Sequence, residues 1–162
     1  ADLKARRLGM QTMVLCASPS YLRRRGTPSA PQDIAAHDTL AYGKRGRVVP
    51  WRFTHDGRVQ EIRTGGRLRF DDLEAIAAAA VAGSGLAWLP SWLVAAQMDA
   101  GLLTEVLPAL RGPGFEVYAV WPAGRHVPMR VRVVIDALVA SMPALVQTGV
   151  PAGAPHTAGE SA

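Results

Sequence analysis

The chain has 162 residues and a formal net charge of +5 at pH 7, enough for one domain of ordinary size or two small lobes that share a core. Apolar residues make up 49% of the sequence and aromatic residues only 6%, so we expect Ala, Val and Leu to build a core of helices on a sheet. The single cysteine, Cys16, excludes a disulfide within the chain. No apolar run approaches the roughly 18 residues of a membrane helix and no signal peptide is visible, so we expect a cytoplasmic protein.

The first half of the sequence predicts short strands that end in turns or helix caps. Residues 12–17 form an apolar strand, after which Ser18-Pro19 places a hydroxyl at the N-cap and proline at the first helical position. Residues 39–42 predict another strand. Residues 50–64 predict a hairpin that turns at Asp56-Gly57, a dipeptide favoured where a turn needs positive φ.

The second half predicts helices that alternate with strands. Asp71, followed by Glu74, resembles a capping box that opens a helix over residues 73–81. A strand at 86–89 then leads into a helix that opens at Pro90-Ser91. The last helix has apolar positions spaced three or four residues apart: Val131, Val134, Ile135, Leu138 and Met142. This alternation predicts an α/β fold with mixed, mainly parallel sheets.

The sequence contains no recognisable catalytic or metal-binding pattern. Its serines lack a G-x-S-x-G elbow, its four histidines are far apart, and no glycine-rich phosphate loop is present. Asp71 and Asp72 could form an acid/base pair, but helix capping explains them more simply. The arginines are scattered, whereas nucleic-acid binding needs cations clustered on one face. We therefore expect no enzyme activity, no cofactor and no metal, and no direct nucleic-acid contact by this chain.

Three junctions between a strand and a helix are the strongest candidates for a binding site. They lie at Ala17-Ser18-Pro19, Phe70-Asp71-Asp72 and Leu89-Pro90-Ser91. In an open α/β sheet such junctions line a crevice, where free backbone N–H groups and positive helix ends can hold a small anion. Each junction alone could be only a helix cap. Three of them together favour a binding crevice.

Short motifs follow one another along residues 3–142. In chain order they lie at residues 5–9 (ARRLG), 14–22 (VLCASPSYL), 26–28, 33–38 (DIAAHD), 51–53 (WRF), 71–82, 83–90 (GSGLAWLP), 101–103, 117–122 (VYAVWP), 125–132 (RHVPMRVR) and 135–138 (IDAL). Each motif is weak alone, but in this joint order they resemble the effector-binding domain of LysR-type transcriptional regulators.

The resemblance implies a two-lobed fold like that of periplasmic binding proteins, with the first lobe incomplete. The expected divisions are a partial first lobe at 1–35, a second lobe at 36–114, a return strand and helix packing on the first lobe at 115–145, and a disordered tail at 146–162. The family's winged helix-turn-helix is not visible here. DNA binding is therefore expected only through an N-terminal segment absent from this chain.

The resemblance and the three junctions together imply a small-molecule effector, possibly a carboxylate, in the cleft between the lobes. The candidate contacts are Ser18, Pro19, Tyr42, Phe70, Asp71, Asp72, Pro90 and Ser91. Since part of the first lobe is expected to be missing, apolar surface should remain uncovered, and we expect a homo-oligomer. The alternative is a free-standing α/β small-molecule-binding protein or a small enzyme that uses the same crevice.

Overall fold

The computed structural model describes residues 2–55, 58–66, 68–110, 112, 114–124 and 128–147. These form an α/β fold whose elements follow one another in this order: β1 (Leu3–Gln11), β2 (Met13–Ala17), α1 (Pro19–Arg25), a 3₁₀ helix (Pro31–Ala36), β3 (Leu40–Lys44), β4 (Arg47–Val48), β5 (Trp51–His55), β6 (Arg58–Ile62), β7 (Leu68–Phe70), α2 (Leu73–Val81), β8 (Ala87–Pro90), α3 (Ser91–Asp99), β9 (Thr104–Glu105), β10 (Phe115–Pro122) and α4 (Met129–Gln147). Among the described residues, no helix combines the length and the apolar character needed to cross a bilayer.

Two three-stranded sheets meet at the middle of the fold. In the first, β2 lies between β8 and β9 and is antiparallel to both. In the second, β3 lies between β4 and β7 and is parallel to β7. A parallel bridge between Thr39 and Leu86 joins the start of β3 to the start of β8. Strands β3, β7 and β8 therefore run in one direction and β2 in the other.

The expectation of mainly parallel sheets is wrong. Over the described residues, only the β3–β7 pair and the Thr39–Leu86 bridge are parallel. A strand–helix–strand unit predicts a parallel orientation only for the two strands that its helix connects. The chain enters β2 directly from β1 and not through a helix, and β2 is antiparallel to β8. The predicted hairpin is confirmed as β5 and β6, paired from Trp51↔Ile62 to His55↔Arg58, whereas its turn at Asp56-Gly57 lies outside the described residues.

A separate antiparallel pair, β1 and β10, carries the last helix. Its register runs from Leu3↔Pro122 to Gln11↔Phe115. Helix α4 packs on β1, with Ile135 buried and an exposed ion pair of 3.1 Å between Arg6 and Asp136. The chain thus leaves this pair after Gln11 and returns to it at Phe115.

The domain boundaries can be proposed from these pairings. Since β2 pairs with β8 and β9, we propose that the second lobe begins near Thr12 rather than at residue 36 and ends near Gly112. Strands β1 and β10 with α4 would then form the part of the first lobe that this chain contains. Helix α4 includes residues 146 and 147, and the rest of the tail expected to be disordered, 148–162, lies outside the described residues.

The core has two clusters, one on each face of the sheet around β2. Alternation along the strand sends Val14 and Cys16 to one face and Leu15 and Ala17 to the other. The first face packs against α2 and α3. Burial raises the pKa of the Cys16 thiol on this face to about 12, so the thiol stays protonated at neutral pH.

The second face is richer in rings than the composition predicted. Trp51 stacks on Trp88 at 6.4 Å between ring centroids, and Phe53 meets Trp88 edge-on at 6.3 Å. Tyr21 joins the same cluster and is only 1% exposed. Four of the aromatic residues, Tyr21, Trp51, Phe53 and Trp88, thus share this face.

Candidate effector-binding site

The sheet topology brings six of the eight predicted site residues to one edge. Because β3, β7 and β8 run in the same direction, their carboxyl ends lie at the same edge as the first turns of α2 and α3. Tyr42 and Phe70 are register partners there. We call this the crossing edge, since the chain passes from β1 to β2 at the same end. Its candidate residues are Tyr42, Phe70, Asp71, Asp72, Pro90 and Ser91, with Thr12 beside them.

The first turn of α3 is fastened to the segment that joins β1 to β2. Ser91 is only 1% exposed, its Oγ lies 3.1 Å from Thr12 Oγ1, and its N–H donates to the Thr12 carbonyl at 2.9 Å. The Trp92 indole N–H donates to Gln11 Oε1 at 3.1 Å. A displacement of α3 would therefore be passed directly to the connection between β1 and β2.

The first turn of α2 is capped by Asp72. Its Oδ1 accepts the N–H of Glu74 at 2.9 Å. The sequence placed the cap at Asp71, and that placement is wrong by one residue, because the helix begins at Leu73 and its N-cap is Asp72. The carboxylate of Asp72 already compensates the positive end of this helix. Strong attraction for the carboxylate of a ligand must therefore come from other groups.

Arginines that the sequence analysis did not select supply such groups. A groove of about 390 Å³ lies against Phe70 and Asp71 and is lined by Arg45, Arg47 and Arg69. None of these three arginines has an ion-pair partner among the described residues. The sequence showed only scattered arginines, and the pairing of β3 with β4 and β7 gathers them. The groove offers positive charge close to residue Phe70.

Ser18 and Pro19 lie at the opposite edge of the second lobe. The expectation that all three junctions share one crevice is wrong, because β2 runs antiparallel to β8 and its carboxyl end lies away from Ser91. Ser18 is 2% exposed, its Oγ accepts the N–H of Tyr21 at 3.3 Å, and it lies 3.0 Å from the Ser20 hydroxyl. The observed role of Ser18 is that of a helix cap.

The same opposite edge holds a histidine whose protonation should affect stability. Burial lowers the pKa of His37 below its ordinary value of 6.5, and the nearby Arg25 charge acts in the same direction. A lowered pKa in the folded chain means that the unfolded chain binds a proton more readily. The stability contributed by neutral His37 is therefore complete above pH 6.5 and is lost as the pH falls through the folded pKa.

We predict that the urea midpoint of the chain falls between pH 7.5 and pH 5, values chosen to bracket the ordinary histidine pKa of about 6.5. Replacing His37 with Gln should reduce this pH dependence, since the uncharged amide has no proton to gain. If the urea midpoint changes equally with pH in the two proteins, folding does not lower the pKa of His37. The measurement is urea denaturation followed by circular dichroism at each pH.

Similarity to known proteins identifies the family. The family model described as the LysR substrate binding domain matches residues 1–143. This chain is a LysR substrate-binding domain. The α/β fold like that of periplasmic binding proteins, expected from the resemblance, is thereby confirmed.

Curated relatives of this LysR substrate-binding domain are regulators of the same family type. The chain is 36% identical over 140 residues to the uncharacterized HTH-type transcriptional regulator YhjC of Escherichia coli K12, covering 85% of this chain and 47% of YhjC. It is 31% identical over 138 residues to the HTH-type transcriptional activator AaeR of the same strain, covering 85% of this chain and 45% of AaeR. The chain thus spans about half the length of the curated relatives that it matches.

Solved structures show the same fold. The regulatory domain of CrgA, a LysR-type transcriptional regulator from Neisseria meningitidis, matches with a TM-score of 0.78 and 25% identity, over 86% of this chain and 69% of that domain. Full-length AphB, the Vibrio cholerae virulence activator, matches with a TM-score of 0.77 and 24% identity, over 88% of this chain and 49% of AphB.

The described residues hold no group of three or more His, Cys, Asp or Glu side chains arranged to bind a metal ion. The polar groups at the crossing edge include hydroxyls of Thr12 and Ser91, the carboxylates of Asp71 and Asp72, and the three arginines of the groove. Such groups can orient and neutralise a small polar ligand.

Proposed function

We propose that this LysR substrate-binding domain is the effector-sensing part of a DNA-binding transcriptional regulator, and that it is not an enzyme. One observation carries the proposal for the site: six of the eight predicted residues meet at the crossing edge, where the chain passes between its two parts. The relatives support the role, since their names describe HTH-type regulators. DNA binding through a helix-turn-helix outside this chain, homo-oligomerisation and a cytoplasmic location belong to the same proposal.

The effector that fits this edge is a small carboxylate with an apolar or aromatic body. Arg45, Arg47 and Arg69 offer charge for the carboxylate, and Phe70 offers a ring for the body. Asp71 lines the same groove and opposes a second negative charge near it. With three basic side chains and one acidic side chain, the groove carries a net positive charge that favours an anion.

The output would be a change in how the two parts of the chain are arranged. An effector shifts such an equilibrium only if it binds one arrangement more tightly. The bonds of Ser91 to Thr12 and of Trp92 to Gln11 support this mechanism, because they link a helix at the edge to the strand connection. A ligand that repositions the first turn of α3 would move that connection.

Titration of a panel of aromatic and aliphatic carboxylic acids into the chain tests the proposal. For an acid that binds, Arg69→Gln should weaken affinity by about tenfold to a hundredfold, since charged hydrogen bonds contribute about 1.5–3 kcal/mol. Phe70→Ala should also weaken it, through loss of the ring contact. The matched control is Arg58→Gln, which changes an exposed arginine of β6 outside the groove and should leave affinity unchanged.

Two results would contradict this location. Unchanged affinity in both Arg69→Gln and Phe70→Ala would place the ligand elsewhere, and an equal loss in Arg58→Gln would indicate only nonspecific attraction to positive charge. The free-standing alternative, a small-molecule-binding protein or small enzyme, is not favoured, because the family model of the LysR substrate binding domain matches residues 1–143 and the relatives are named HTH-type transcriptional regulators.

A further inference from the structure

A second cavity lies at the edge opposite the crossing edge. It has a volume of about 330 Å³ and is lined on one side by residues before β3, including His37, Asp38 and Thr39. Its other side is the segment between β6 and β7, including Arg63 and Thr64. We call it the far-edge cavity. Since β3 is parallel to β7, the residues that precede both strands meet here.

Thr64, a lining residue of this cavity, has a hydroxyl with an unsatisfied hydrogen-bonding capacity. Thr64 is 7% exposed, and its Oγ1 is buried without a hydrogen-bond partner among the described residues. Buried hydroxyl groups in folded proteins nearly always have a partner, because leaving one unpaired is costly. A polar atom of a bound molecule would supply the missing partner.

The contact of His37 with the Tyr21 hydroxyl leaves the other ring nitrogen, Nε2, able to donate a hydrogen bond. The Tyr21 hydroxyl accepts the N–H of Asp38 at 2.9 Å and lies 3.1 Å from His37 Nδ1. The hydroxyl has one proton, and its other acceptor, the Asp38 carbonyl, is farther away at 3.5 Å. Donation to Nδ1 leaves the proton of a neutral imidazole on Nε2. Burial, which lowers the pKa of His37, favours this neutral form.

The charges around the far-edge cavity favour an anion. Arg63 has no ion-pair partner among the described residues. Asp38 is the acidic residue in the lining, and its carboxylate lies 3.6 Å from the Arg25 guanidinium, which offsets its charge. The remaining free groups, a guanidinium, an imidazole N–H and a hydroxyl, are all hydrogen-bond donors.

We propose that the far-edge cavity is a second binding site, which takes a small oxyanion, either a carboxylate or a phosphate, on Arg63, Thr64 and His37. The site is separate from the proposed effector site, because Thr39 and Tyr42 lie three residues apart along the chain, roughly 10 Å at the rise of a strand. Binding here stabilises the join between the hairpin and the start of β3. It does not require an effector at the crossing edge.

Isothermal titration of the chain with inorganic phosphate and, separately, with succinate tests the site and distinguishes the two oxyanions. The probe that binds more tightly shows whether the site prefers a phosphate or a carboxylate, and either preference supports the proposal. Thr64→Val replaces the hydroxyl with a methyl group of similar shape and should weaken binding by about tenfold, the effect of one hydrogen bond. The same variant should melt at a higher temperature than the parent without ligand, because the unpaired buried hydroxyl is gone.

Matched controls separate the site from general effects on the chain. Thr54→Val changes a half-buried threonine of β5 outside the cavity and should leave binding unchanged. Arg63→Gln should weaken binding at least tenfold, whereas Arg58→Gln should not. A carboxylic acid that binds at the crossing edge should bind Thr64→Val as tightly as the parent chain, so failure of one site can be distinguished from failure of the other. Absence of binding of both probes at about 10 mM, a weak-affinity limit, or equal affinity in Thr64→Val and the parent, would overturn the proposal.

Discussion

Replacing Gly66 with alanine should destabilise the chain by about 3–5 kcal/mol, among the largest effects expected of a single substitution. An added Cβ would overlap the carbonyl oxygen of Thr39 and lie 3.1 Å from its carbon. These are backbone atoms of the residue that enters β3, so they cannot rotate away as a side chain would. The strand or the preceding segment must move.

Gly65→Ala is the matched control for this substitution, because an added Cβ there meets nothing within 4 Å. Both variants change the same residue type in the same segment, so the difference between their free energies of unfolding reports the close approach of Gly66 to Thr39. Urea denaturation of the two variants measures this difference. Equal stabilities would show that residues 64–66 do not pack against the start of β3 as described.

The second large effect is expected for Leu89→Ala, which should cost about 2–5 kcal/mol. Leu89 is 0% exposed, lies in β8 opposite Val14 and packs in the cluster that also contains Ile76 and Val94. Truncation removes contacts with β2, α2 and α3 at once, and the surrounding side chains cannot fully close the cavity.

Leu68→Ala is the control for core truncation. Leu68 lies in β7 and is 45% exposed, so the same chemical change removes much less buried surface. The free energies of unfolding of both variants can be compared by urea denaturation. A loss below about 1 kcal/mol for Leu89→Ala, below the range typical of core leucines, would contradict the placement of β8 at the centre of the lobe.

Much of the fold was predictable because local chemistry determines it. The alternation in β2, the proline at the start of α1 and the hairpin of β5 and β6 all follow from period, cap and turn preferences. The spacing of α4 predicted its apolar face in the same way, and on this face Ile135 is buried whereas Val134 is 57% exposed. These features depend on residues close together in sequence.

The direction of β2 was not predictable in this way. A strand has the same pattern whether its neighbour is parallel or antiparallel, and its partners β8 and β9 lie far along the chain. That direction decides which edge Ser18 occupies. It explains why the prediction grouped Ser18 with Ser91, although they lie at opposite edges.

The arginine groove escaped prediction for a related reason. Arg45 and Arg47 lie in and after the β3–β4 turn, and Arg69 lies in β7, opposite Ala41. Nothing local distinguishes them from the other arginines of a basic chain. Arg69 precedes Phe70 in the sequence, and the parallel pairing of β3 with β7 brings Arg45 and Arg47 to the same groove.

Amide hydrogen exchange with and without a bound carboxylic acid tests the central claim most directly, because it locates the effector without substitutions. An effector at the crossing edge should slow exchange at residues 69–74 and 91–93, around the first turns of α2 and α3. Residues 18–22 at the opposite edge should be unaffected. Slowed exchange confined to residues 18–22, with none at 69–74 or 91–93, would contradict an effector site at the crossing edge.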